Sequence, residues 1–127
     1  MPVAMIATLK RRSEFLRVRG AARWATSSFV LEAKPRAEEV VPREARFGFT
    51  VTKKLGKAVT RNRIRRRLRE AVRLMAARVA LADHDYVLIA RAPALDREFT
   101  KLTEDLETAF ARVHRPGRGK FRESAAR

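Results

Sequence analysis

Cysteine is absent from the chain, and histidine occurs only at His84 and His114. The first absence excludes disulfides, a thiolate nucleophile and cysteine-ligated zinc, and the second leaves too little imidazole for a histidine-built metal centre. Acids are scarce too: 14 Asp and Glu stand against 30 Lys and Arg, a net charge of +16. Those few carboxylates are scattered, whereas two-metal phosphoryl chemistry needs them clustered on rigid elements. None of the five glycines builds a phosphate-cradling loop, since Gly56 stands alone in KKLGKA and Gly117 and Gly119 have no strand before them. Long apolar runs are missing as well. The longest, MPVAMIATL, is too short to span a bilayer and precedes the basic residues, the reverse of a secretory signal. A cytoplasmic chain with no membrane partner is expected. Its length and 46% hydrophobic content predict one domain with a modest core.

What the chain does have is concentrated in KKLGKAVTRNRIRRRLREAVR, Lys53 to Arg73, where Glu70 is the only acid. Helical spacing over Thr60 to about Ala80 puts Ile64, Leu68, Ala71, Val72, Met75 and Val79 on one apolar stripe. Asn62, Arg66, Arg69 and Arg73 fall on the opposite face, with Arg65 at its shoulder and Arg63 and Arg67 flanking. This ridge costs the isolated fold stability. Cations crowd a helix N-terminus that is already positive, and pairs such as Arg61 with Arg65 repel by roughly a few tenths of a kcal/mol each. A charge run is usually a solvated, salt-bridged face, but this one has almost no interleaved acid. It predicts a polyanionic partner, nucleic acid before an anionic membrane.

The remainder reads as a small α+β unit. Residues 1–8 look like a loose, flexible end, and Leu9 to Arg19 suggests a short helix with Ser13 as N-cap, Glu14 in its first turn and Gly20 ending it. Trp24 to Ala33 carries one strand or two short ones, and Lys34 to Ala45 an exposed hairpin loop. Arg46 to Thr52 alternates, with Phe47, Phe49 and Val51 on one face. Gly48, on the other face, points to close approach by something there. Asp83 to Asp85 reads as a turn, and Tyr86 to Ala90, YVLIA, as a strand buried on both faces and parallel to Arg46–Thr52. A last amphipathic helix follows Pro93, with Asp96 as cap and Phe99, Leu102, Leu106, Phe110 and Val113 inward. Residues 9–114 form the single domain, and 115–127 a disordered basic tail.

No catalytic constellation emerges. Glu14 and Glu32 are isolated and read as cap or surface residues. His84 sits between Asp83 and Asp85, but adjacent side chains point apart, so it reads as a turn histidine. The binding groups are better defined. Lys53, Lys54 and Lys57 lead into the helix, whose first N–H groups suit a phosphate, and arginine forks give two-point phosphate contacts. Asn62 is the one neutral polar group on the ridge. Phe15, Trp24, Phe29, Phe47 and Phe49 include at most one or two base-stacking platforms, since most must fill the core.

The run Lys53-Lys54-Leu-Gly56-Lys-Ala58-Val59-Thr-Arg61-Asn62-Arg63-Ile64-Arg-Arg66-Arg-Leu68-Arg69-Glu70 resembles the signature of the bacterial ribonuclease P protein subunit. Three flanking pieces agree in order and spacing: Leu9-Lys10 with Glu14-Phe15 and Val18, then Phe29-Val30-Leu31, then Asp85-Tyr86 with Ile89-Ala90-Arg91-Ala92-Pro93. The resemblance covers roughly residues 9–113. It implies an α-β-β-β-α-β-α two-layer sandwich, similar to part of some ribosomal proteins, with a left-handed β-α-β crossover against the usual preference. It also implies a ribonucleoprotein enzyme in which a catalytic RNA, using RNA-bound magnesium, removes the 5′ leader of precursor tRNA, with no catalytic residue or metal on the protein. By position, Arg61, Asn62, Arg63, Arg66 and Arg69 would meet the catalytic RNA, in a one-to-one complex with a monomeric protein. Phe15, Val30 and Glu32 would lie along a leader cleft. Arg19 and Glu32 stand where the family often carries aromatics, which predicts more electrostatic leader contacts, with Trp24 a substitute platform. The alternatives are a ribosomal or RNA-chaperone protein with no part in cleavage, and a stand-alone nuclease.

Overall fold

A computed structural model of the chain describes residues 6–9, 12–18, 22–35, 45–79 and 84–114. Strand β5 (His84–Ala90) lies at the centre of a five-stranded sheet. It pairs antiparallel with β3 (Phe29–Pro35) and parallel with β4 (Ala45–Thr50). β2 (Ala22–Ala25) flanks β3, and β1 (Ile6–Thr8) runs parallel to β4, for the order β1-β4-β5-β3-β2. Alternation along each strand then sorts the side chains. Phe29, Leu31, Phe47, Tyr86 and Leu88 face α2 (Ala58–Val79) and α3 (Phe99–Val113), forming the main core with Ile64, Leu68, Leu102, Leu106 and Phe110. Val87 turns the other way and packs with Leu9 and with Val18 of α1 (Arg12–Val18), beside Phe15 and Ile89. YVLIA is therefore covered on both sides, as its unbroken apolar run predicts, and α2 joins two parallel neighbours.

Gly48 explains how α1 sits so close. A Cβ built there would lie 2.3 Å from Cε2 of Phe15, so the missing side chain is the space the ring occupies. The expected close approach is intramolecular. Above the same face, Arg46 donates both Nε (2.8 Å) and Nη2 (2.9 Å) to Asp85, its register partner, and Nη1 to Glu14 of α1 at 3.4 Å. This network buries Asp85 almost fully and ties the helix to two strands.

Several local expectations are corrected. Ile6–Thr8 is a strand, not a loose end, because β4 supplies its ladder and Leu9 N–H continues it onto the Phe47 carbonyl at 2.8 Å. β3 and β4 are no hairpin: β5 lies between them, laddered to β3 on one edge and to β4 on the other. Residues 36–44 of that supposed loop fall outside the described residues, as do Arg19, Gly20, Ala80, Asp83 and 115–127. His84 and Asp85 begin β5 instead of forming a turn, held by the pairing to Lys34 and Pro35. Ser13 lies inside α1, which starts at Arg12, and the N-cap of α3 is Glu98 rather than Asp96. Trp24 to Ala33 resolves into two strands. The turn between them is closed by Thr26, whose Oγ1 accepts from the N–H of Ser28 (3.2 Å) and Phe29 (3.1 Å).

At one end of the sheet the Tyr86 hydroxyl and His114 Nε2 are 2.8 Å apart, with His84 stacked beside Tyr86. Burial, and secondarily the neighbouring His84, push the His114 imidazole down to about 4. The unfolded chain, near 6.5, takes up this proton first. Stability is therefore full above about pH 6.5 and falls as pH drops toward 4. Urea midpoints measured between pH 6.5 and 5, above most carboxylate titration, should decline, and His114→Gln should flatten that slope. Gly48→Ala should cost about 1–3 kcal/mol of stability, read as a lower urea midpoint, because the Phe15 ring must leave its seat.

Candidate nucleic-acid interface

Helix α2 is oriented by its apolar stripe. Ile64 and Leu68 are fully buried, and Ala71, Val72 and Met75 nearly so, as the spacing predicts. The side chain of Val79 lies outside the described residues. On the opposite face Asn62, Arg63, Arg66, Arg69 and Arg73 are exposed, while Arg61 and Arg65 are half-buried. The approach is set by a single turn of 3-10 helix, Lys53–Leu55, pinned by Leu55 against the core. Gly56 closes that turn at φ 132°, a conformation that L side chains rarely adopt. Lys53, Lys54 and Lys57 are exposed around it, continuous with the ridge.

Partners separate the cations into two kinds. Arg73 forms a surface ion pair with Glu70, whose carboxyl is held below its ordinary range by the Arg73 hydrogen bond. Arg67 points inward: its Nε donates to the Ala94 carbonyl at 2.9 Å, its Nη2 to the Arg97 carbonyl, and its guanidinium lies over the Phe99 ring. It fastens α2 to the Ala92–Leu95 turn before α3. The others are neither ion-paired among the described residues nor turned inward. Arg61 donates to the Gly56 carbonyl at 3.1 Å and Arg65 to Asn62 Oδ1 at 3.1 Å, both neutral acceptors. Arg69 lies 5.8 Å from the Phe49 ring centroid. Among the described residues, no carboxylate pairs with Lys53, Lys54, Lys57, Arg61, Arg63, Arg65, Arg66 or Arg69.

A second feature lies on the far face of the sheet. A cleft of about 520 Å³ opens between α1 and the strands, lined by Arg12, Phe15, Leu16, Glu32, Thr50, Thr52, Val87 and Ile89. Phe15 and Glu32 are thus together, as expected. Val30 is buried on the same face, beside Ile89 in the ladder. Trp24 is not there. The turn at Thr26–Ser28 places Trp24 on the α3 side, packed against the main core with the Arg112 guanidinium 4.9 Å from its ring centroid. Its neighbour Arg23 takes the cleft face, opposite Glu32. Sequence reasoning missed Arg12, Leu16, Thr50 and Thr52 as wall residues. The alternation of β4 had put Thr50 and Thr52 on the Gly48 face, which was the available signal. The cleft runs to Thr52, next in the chain to Lys53, so cleft and ridge meet at the end of β4.

The profile of the Ribonuclease P family matches residues 5–114. The chain belongs to the ribonuclease P protein family. The ribonuclease P protein component of Brucella suis is 44% identical over 123 residues, 92% of this chain and 87% of the relative. That of Erythrobacter litoralis is 42% identical, covering 89% of each. Among solved structures, the Staphylococcus aureus RNase P protein aligns with TM-score 0.69 at 29% identity, over 84% of this chain and 94% of that one. The Thermotoga maritima RNase P protein aligns with TM-score 0.66 at 25% identity, over 80% and 92%. A ribonuclease P protein component is a subunit of a tRNA-processing ribonucleoprotein endonuclease, partnered with an RNA subunit. Among the described residues no helix is long and apolar enough to cross a membrane.

The two kinds of arginine should separate by experiment. Arg67→Ala should cost about 1–3 kcal/mol of stability by urea denaturation, since two carbonyls lose a charged donor. Arg66→Ala should stay within about 0.5 kcal/mol of the parent.

Proposed function

We propose that this chain binds the catalytic RNA of ribonuclease P through the α2 ridge and the 5′ leader of precursor tRNA through the α1–sheet cleft. Cleavage itself belongs to the RNA. The observation that carries this reading is the unneutralised set Arg61, Arg63, Arg65, Arg66 and Arg69 on one helix face, continuous with Lys53, Lys54 and Lys57. Such a surface lowers its own repulsion when a phosphate backbone arrives. Planar guanidiniums on a rigid helix suit folded RNA, where shape and backbone are recognised. The cleft suits a single strand: Phe15, Leu16 and Ile89 offer apolar contact to a base, and Thr50, Thr52 and Arg12 offer polar contact to its sugar and phosphate.

Magnesium in the assembled enzyme would be held by RNA, and the protein's part is electrostatic and positional. The described residues contain no group of three or more His, Asp and Glu that could hold a metal ion. One protein per catalytic RNA, with the protein monomeric, is the stoichiometry this reading expects. A ribosomal or chaperone-like role predicts equal affinity for 5′-extended and mature tRNA, and a stand-alone nuclease predicts cleavage with no RNA subunit.

Adding the purified chain to a bacterial ribonuclease P RNA at low magnesium should restore precursor tRNA processing. In titrations of that RNA, log affinity against log salt should slope about −4, from some five phosphate contacts. Arg66→Ala and Arg69→Ala should each weaken binding and flatten the slope by nearly one, with unchanged thermal melting. Arg73→Ala should do less, because Glu70 already engages it. Ridge variants that kept full RNA affinity would overturn the assignment of this face.

A further inference from the structure

Glu32 is out of place electrostatically. On a chain of net charge +16, in a cleft adjoining the cationic ridge, it is a carboxylate only 5% exposed. Its ladder neighbours are Arg23 and Val87, and it forms an ion pair with Arg23, Nε to Oε2 3.9 Å. A carboxylate has about four acceptor positions on its two oxygens, so contacts within the protein need not exhaust it. Pairing with Arg23 would be served equally well outside a cleft. A phosphate is repelled at this point, while the donor edge of a base is attracted.

We propose that Glu32 reads the base lodged in the cleft by accepting hydrogen bonds from its Watson–Crick edge, favouring guanine and disfavouring uracil. This rests on the cleft being the leader site. Guanine presents N1–H and N2–H side by side, matching the two oxygens of a carboxylate. Adenine and cytosine present one amino group, and uracil flanks its single N–H with carbonyls that repel the acid. The walls strengthen the effect. Phe15, Leu16, Val87 and Ile89 exclude water around the acid, so a charge-assisted hydrogen bond retains its strength and a facing carbonyl is penalised. The backbone of the strand is left to Arg12 and to the cations beyond Thr52, on the positive side of the site.

The test uses the full chain assembled with a bacterial ribonuclease P RNA. Precursor tRNAs differing at one leader nucleotide, with guanosine, inosine, adenosine, cytidine or uridine at each position in turn, are titrated beside mature tRNA. At one position guanosine should bind about tenfold tighter than uridine, with inosine, which lacks the N2 amine, between them. Glu32→Gln, whose amide can also donate to a carbonyl, should bring that ratio near one while 5′-extended tRNA still binds better than mature tRNA. If the parent assembly bound extended and mature tRNA alike, the leader reading of the cleft would itself fail. If it separated them but no position distinguished guanosine, inosine and uridine, or Glu32→Gln kept the preference, Glu32 would not be the reader. The parent nucleotide series stands by itself, so poor folding of the variant could not conceal a negative.

Discussion

Ile64 and Leu68, neither with any exposed surface, fix the rotation of α2 about its own axis, and nearly everything functional in the molecule follows from that rotation. Each buried side chain contributes about 1.5–3 kcal/mol relative to exposure. Slipping the helix by one residue would turn it about 100° and drive an arginine toward the sheet. Desolvating an unpaired guanidinium costs several kcal/mol, so both terms oppose the slip. The apolar stripe therefore determines where the cations point without touching them. Arg67 adds a second fastening, and Gly56 lets the chain turn sharply enough to start the helix directly after β4.

The exposed cations leave a repulsion that the fold does not relieve. Acids that might have done so are committed elsewhere. Glu14 and Asp85 hold Arg46, and Asp105 joins Arg97 to the Ser28 hydroxyl at the β2–β3 turn. These pairs fix tertiary contacts among strands and helices, whereas the ridge receives none of them apart from Glu70 with Arg73. A partner bearing phosphates both binds the ridge and removes its self-repulsion, so binding and folding are coupled. The segregation of charge is what suits a small domain to a polyanionic partner.

How much of this was legible in the sequence varied with how local the cause was. The stripe and ridge of α2 were readable, because helical period and composition agree over a long segment. The two-sided burial of β5 was readable from its unbroken apolar run, and Gly48 correctly signalled a close approach. What escaped depended on distant partners. β1 is three residues held in a ladder by β4, so nothing in Ile6–Thr8 itself marks a strand. Trp24 reads as a substitute for the aromatics that the cleft lacks, but the Thr26–Ser28 turn determines which face it takes, and that face belongs to α3. Arg67 looked like any flanking arginine until the Ala92–Leu95 turn came beneath it. The cleft exists only because α1 packs on the side of the sheet opposite α2, a relation no periodicity encodes.

That opposition has a geometric consequence for the reading proposed above. The ridge projects from one layer and the cleft opens on the other face of the sheet, so a catalytic RNA and a substrate strand would not compete for the same surface. They approach each other at the end of β4, where Thr50 and Thr52 line the cleft and the chain turns at once into Lys53 and Lys54. Arg69 over Phe49 places ridge charge near that same strand. A strand leaving the cleft there would meet cations that, on this reading, face the larger RNA, and its phosphates would be drawn toward that partner. On the same reading Glu32, buried and of opposite sign, would push the backbone outward and admit the base. On this reading the charge partition that leaves the ridge self-repelling would also orient the substrate between two walls of fixed sign.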